Sequence, residues 1–193
     1  MTEAAKRTER RLLTSGTHHG ALPEIGTWLW GMKEARRGLL STLDRIERAG
    51  FGQEFLDWRG PDGQDNSVGA LLYHIAGVEM GWLYFDLLMT GFPDDVKERF
   101  PVDDRTEDGH LRDVPGTTLA EHRERLAWTR ERFLNEVSGL SLEDWHELRA
   151  PEGEDYAATP AWIVYHLVEH EAGHLFEIRR VVRRWVDRQV AKG

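Results

Sequence analysis

The chain of 193 residues contains no cysteine. That excludes disulfides, a thiolate nucleophile and cysteine-ligated zinc, so any thiol chemistry requires a thiol from outside. Positive charge is also scarce: 25 Lys and Arg stand against 34 Asp and Glu, a formal net charge of -9. A protein this acidic lacks the electrostatic footprint for nucleic acid or an anionic membrane, and neither is expected as a partner. The clustered arginines Arg179, Arg180, Arg183 and Arg184 accompany an apolar stripe and read as a solvated helix face. Long apolar runs are missing as well. The opening MTEAAKRTERRLLTSG holds no apolar segment of the signal-peptide kind, which leaves the cytoplasm as the expected location. One apolar stretch, residues 67–90, approaches the length of a membrane span. His74, Glu79 and Asp86 interrupt it, and it reads as a buried helix. No strand-type alternation and no short-period repeat is visible.

What is present is helical periodicity. Residues 1–22 are polar and are expected to form a flexible N-terminal segment, with a single domain over 23–193. The first helical pattern runs from about Gly26 to Ala49, with Trp28, Met32, Leu39, Leu43 and Ile46 at three- and four-residue steps. The second opens at Asn66 or Ser67 as N-cap and continues to Gly91. The third begins with Thr118-x-x-Glu121, a capping box, and reaches Gly139; Ser141 caps a short helix after it. Thr159-Pro160 starts the fourth, which runs to about Gln189. The connections are long and rich in Gly, Asp and Pro. One of them, the acidic stretch 94–108, reads as a lid, a partner contact or a solvated loop. Four amphipathic helices joined by loops predict an all-α four-helix bundle. Helix two is apolar nearly all round, with Leu72, Ala76 and Leu83 opposite His74; burial on both sides predicts a homodimer interface.

The fourth pattern carries WIVYHLVEHEAGHLFEI, with His166, His170 and His174 four residues apart. With Ile163 at zero on a wheel of ~100° per residue, the core stripe of Leu167, Ile178, Val181 and Trp185 spans roughly 0° to +60°. His170 falls near -20°, His174 near +20° and His166 near -60°. Imidazoles one turn apart can meet on one ion, whereas His166 and His174 are ~12 Å apart along the axis. The pair is therefore His170 and His174, with His166 as a bystander. A metal site with an open position needs about three protein ligands. His74 supplies the third, on an inward face whose Gly77 and Gly81 leave room for a pocket or a close helix crossing. Glu169 and Glu171 lie off the stripe centre and are poorer ligand candidates; Glu171 or Glu177 either orients an imidazole or is solvated. Tyr73, Trp82, Tyr84 and Trp162 read as pocket lining or core. His18, His19, His110, His122 and His146 sit in polar contexts and are expected to be solvated.

The segments NSVGALLYHIAGVE and WIVYHLVEHEAGHLFEI, in this order and spacing, resemble the DinB/YfiT-like metalloprotein superfamily. The resemblance implies an up-down-down-up four-helix bundle, often dimeric. It also implies a divalent metal held by His74, His170 and His174, the residues the wheel selects independently. In mycothiol-dependent members a Glu can take the middle ligand position, which here is His170. Leu175-Phe176-Glu177 replaces the Arg-Gly-Gln-like run of many members, so close packing near the site is expected to differ. Bacillithiol- and mycothiol-dependent transferases in the family imply a metal-dependent thiol S-transferase, with a low-molecular-weight thiol and an electrophile as partners. Metal-dependent hydrolysis and a non-enzymatic dimeric metal- or ligand-binding protein are the alternatives. Three imidazoles suit Zn or Ni first, and Fe or Mn as well.

Overall fold

In the computed structural model, which describes residues 14–191, seven α-helices follow one another. They are α1 (Pro23–Arg48), α2 (Gln53–Leu56), α3 (Val68–Gly81), α4 (Asp94–Arg99), α5 (Leu119–Val137), α6 (Leu142–His146) and α7 (Pro160–Val190). The all-α expectation holds: no strand occurs among the described residues, only isolated bridges between Arg105 and Leu111 and between Arg149 and Ala158. None of these helices is long and apolar enough to cross a membrane. The flexible segment expected over 1–22 lies outside the described residues as far as residue 13. Residues 14–22 run irregularly against α1, where the His18 N–H donates to the Gly26 carbonyl at 2.8 Å.

The start signals operate as chemistry dictates. The Ser67 hydroxyl accepts from the Ala70 N–H, and Thr159 accepts from the Trp162 N–H. Thr118 and Glu121 close a full capping box, as do Ser141 and Asp144. Each satisfies backbone N–H groups that a helix start leaves without intrahelical partners. Two boundaries differ from expectation. α1 begins at Pro23, whose ring suits the first helical turn, and buries Ile25 and Leu29 while Trp28 stays exposed. Helix two does not stay α-helical to Gly91; after Gly81 it widens into a π-helical turn over Trp82–Leu87. Propensity does not encode such a turn, and it shifts the facing of every later side chain. The connections also hold the short helices α2 and α4. Arg180 and Arg184, expected to be solvated, pair with Asp65.

The core falls into two apolar halves. One gathers Leu39, Leu43, Leu72, Ile75, Leu126, Ile178 and Val181. The other gathers Ile25, Leu29, Met32, Met80, Leu83, Phe133, Ile163 and Leu167. Along α1, α3, α5 and α7 alike, a charged residue separates the halves: Arg36, Glu79, Arg130 and Glu171. Arg36 donates to Glu171 at 2.6 Å and to Glu79 at 3.1 Å. Arg130 donates to Glu171 at 2.7 Å, and also to Glu79. Thr129 adds a bond to Glu79 at 2.9 Å, and the guanidinium groups reach the Leu126 and Met32 carbonyls. Two cations and two anions thus neutralise one another in a closed ring, the condition for burying charge. Leu72, Ala76 and Leu83 are fully buried within this single chain, so the two-sided burial of α3 needs no second copy to explain it.

Candidate metal centre

Beside the ring, α3 and α7 bring three histidines together. His74 is buried, while His170 and His174 are half-buried. The Nε2 of His170 lies 3.0 Å from the Nε2 of His74 and 3.2 Å from the Nε2 of His174. The three donor atoms fall within 4.8 Å of one another, a cluster that could hold a metal ion. Two nitrogens bound to one ion at ~2.0–2.1 Å in tetrahedral geometry stand about 3.3 Å apart, close to both separations.

The far sides of the rings show how the nitrogens are aimed. The Nδ1 of His74 meets a carboxylate oxygen of Asp104, and the Nδ1 of His174 meets Glu177 at 3.1 Å. The Asn66 amide donates to the other Glu177 oxygen at 2.9 Å. A carboxylate at Nδ1 draws the imidazole proton to that side and leaves the Nε2 lone pair bare. The Nε2 lone pairs of His74 and His174 are then both turned toward the Nε2 of His170, and a cation among the three would satisfy all of them at once. The donor set therefore fits a divalent ion, and its all-nitrogen character suits Zn, Ni or Fe better than Ca or Mg.

The carboxylates respond to this contact. Burial alone would raise Asp104, but the hydrogen bond to His74 helps hold it below the usual carboxylate range. The hydrogen bond to His174 holds Glu177 low despite partial burial. His170 is pushed down to about 3, first by burial and then by the facing His174 and His74. It is an unprotonated donor at neutral pH.

His166 stays outside. Its ring stacks on Trp162 with an interplanar angle of 3° and meets Trp82 edge-on, 5.8 Å from His170 between ring centroids. Beyond the histidines, the same face of α3 opens into a cleft of about 570 Å³ lined by Gly77, Gly81, Trp82 and Asp104 among others. A side chain at Gly81 would meet open space, which supports the pocket reading of that glycine.

A family model described as the DinB superfamily matches residues 32–178. The chain belongs to the DinB superfamily. A search of curated proteins finds no match to it. The matched span contains the three converging histidines, Asp104, Glu177 and the whole charged ring.

Several readings of individual DinB positions need correction. Glu171 neither orients an imidazole nor meets solvent; at 2% exposed it belongs to the ring. Its wheel position, roughly +80°, looks peripheral only while Val164 and Leu175 are left out of the stripe. Both are buried and move the centre toward it, which leaves His170 and His174 on the rim rather than in the middle. Phe176 is 73% exposed and does not crowd the site. His122 is buried, not solvated, with its Nε2 lacking a partner. Its spacing from Leu119 and Leu126 was the available signal. Asp104 carried none: the loop from α4 to α5 delivers it to His74 only in the folded chain.

Proposed function

We propose that this DinB protein binds one divalent metal through His74, His170 and His174 and activates a low-molecular-weight thiol for S-transfer to an electrophile. The observation that carries the reading is the convergence of three Nε2 atoms, two of them aimed by carboxylates at Nδ1. The bound ion, Zn or Ni first and Fe or Mn next, would lower a thiol's pKa so that thiolate forms near neutral pH. Because the chain has no cysteine, the thiol is a co-substrate of the bacillithiol or mycothiol type. The chain's own part is to hold the imidazoles. Asp104 fixes His74, and Asn66 fixes Glu177, which fixes His174. The thiolate sulfur forms the new C–S bond while the leaving group departs with the bonding pair and the thiol proton passes to solvent.

Hydrolysis is the weaker reading for a specific reason. The two carboxylates that touch the imidazoles, Asp104 and Glu177, are committed to Nδ1 atoms, and neither is free to act as a general base. We also read the helices as an up-down-down-up bundle. Supporting this, α1 and α7 pass through the second apolar half, the ring and then the first half, whereas α3 and α5 pass through them in reverse.

Metal analysis of the purified protein and of His74→Ala, His170→Ala and His174→Ala tests the site; unchanged metal content in all three ends the proposal. Bacillithiol, mycothiol and glutathione are then offered with monochlorobimane. The reading expects a bimane conjugate forming above background only with metal bound. No conjugate with any of these thiols leaves a metal-binding protein without this activity.

A further inference from the structure

Three carboxylates are buried among the described residues: Glu79, Glu171 and Asp86. The first two each touch two arginines. Asp86 is only 7% exposed, yet no Arg, Lys or His among the described residues pairs with it. Its hydrogen-bond donor is the Tyr156 hydroxyl, at 2.5 Å to one carboxylate oxygen. Burial raises the Asp86 carboxyl, which the Tyr156 bond offsets only in part, so a cation placed beside it would meet an acid that no charge in the described chain compensates.

Asp86 also has somewhere to receive one. It sits in the π-helical turn after α3 and lines the 570 Å³ cleft that begins at Gly77, one turn from His74. The same cleft carries Asp103, Asp104 and Glu154, against Lys97 as its basic residue. Lys97 is largely exposed and pairs with Asp94. The walls are aromatic: Trp82, Phe85, Phe92 and Tyr156 line the cleft together with Asp86. Ring faces attract cations, and a carboxylate behind them adds direct charge pairing. Burial and the bond to Asp86 push the Tyr156 phenol upward, so it remains a hydrogen-bond donor to the carboxylate at any ordinary pH.

We propose that this cleft binds an organic cation, a primary amine or ammonium group on an apolar body, with the charge on Asp86 and the body against Trp82 and Phe85. The site stands on the cleft alone and holds with or without metal at the histidines. On the transferase reading, the cationic molecule is one of the two substrates.

The test compares one body in three charge states. Isothermal titration measures 4-phenylbutylamine, 4-phenylbutan-1-ol and 4-phenylbutyrate against the protein, once metal-loaded and once after chelation. The amine is expected to bind about tenfold or more tighter than the alcohol, and the carboxylate not at all. Asp86→Asn, which keeps the shape and the Tyr156 contact, is expected to bring the amine down to the alcohol's affinity. Its metal content should stay that of the parent. Tyr156→Phe retains the charge and should retain most of the preference. Equal binding of amine and alcohol, no binding of the amine at millimolar concentration, or a preference that survives Asp86→Asn each overturns the proposal. The three-ligand series on the unaltered protein decides the question even where the Asn variant fails to fold. In the unaltered protein, metal binding without any amine preference condemns the cation site alone, and an amine preference without metal binding condemns the histidine site alone.

Discussion

Two polar clusters lie side by side, sharing α3 and α7, and they are built on opposite terms. In the ring of Arg36, Glu79, Arg130 and Glu171 every charge faces its opposite, the side chains are sealed between two apolar halves, and nothing is left to bind. In the cluster of His74, His170 and His174 the donor atoms face one another, and two of the three rings are half-buried. Glu171 and His170 are neighbours in the chain, yet one completes the interior and the other remains available. Burial of polar groups does not by itself separate structural from functional residues. The separation lies in whether the groups satisfy one another.

The sharpest way to break this contrast is to open the ring. Glu171→Ala leaves two buried guanidinium groups sharing one carboxylate and should lower unfolding free energy by about 3–5 kcal/mol, read from urea denaturation. His170→Ala, one residue away, should cost the metal-free protein about 1 kcal/mol or less. Comparable losses in the two variants would erase the distinction.

Acid offers the next largest effect, through a buried polar group that neither cluster satisfies. Burial pushes His122 from about 6.5 down to about 4, with Arg125 adding to it. Between those values the unfolded chain holds a proton that the folded chain refuses, so stability rises with pH there. This contribution is complete above about 6.5 and is lost as pH falls toward 4, an effect of about 3 kcal/mol. His122→Leu should remove that part of the acid sensitivity, as seen in denaturation series at pH 7 and pH 4.5. An unchanged pH dependence would mean that His122 does not titrate in this way.

The carboxylates behind the histidines sharpen the comparison from the other side. Asp104→Ala and Glu177→Ala should each weaken metal binding by about 10–100-fold while barely moving the stability of chelated protein. Competition with a chromophoric chelator gives the first quantity and thermal melting the second. The stabilisation that added metal confers on the parent should shrink in both. The smallest effect belongs to the cleft wall. Gly81→Ala places a methyl in open space and should stabilise the chain by about 0.5–1 kcal/mol through helix propensity, with metal content unchanged. A destabilised variant would show that the cleft closes over that position.

Much of this molecule was legible beforehand. Ser67, Thr118, Ser141 and Thr159 announced helix starts, because capping is a matter of which atoms lie within three residues. The histidine cluster was legible because the i and i+4 positions of α7 meet by helical geometry, and His74 stood out as a polar break in an apolar helix. The ring was missed because Arg36, Arg130 and Glu171 each look like ordinary solvated charges on an amphipathic helix. Only Glu79, set among apolar residues, hinted at a partner. Asp104 and Asp86 were illegible, since each depends on where a loop or a π-turn delivers a side chain.

By itself, then, the sequence determined the four long helical segments and α6, the caps at Ser67, Thr118, Ser141 and Thr159 and the identity of three imidazoles, all consequences of spacing within a turn or two. Tertiary structure alone decided which charges cancel, which carboxylates stand behind His74 and His174, and which acid is left without a cation. Those outcomes join residues up to 135 positions apart, as Arg36 and Glu171 are. Local periodicity carries no information about which distant side chains will meet; the packing of α1, α3, α5 and α7 supplies it.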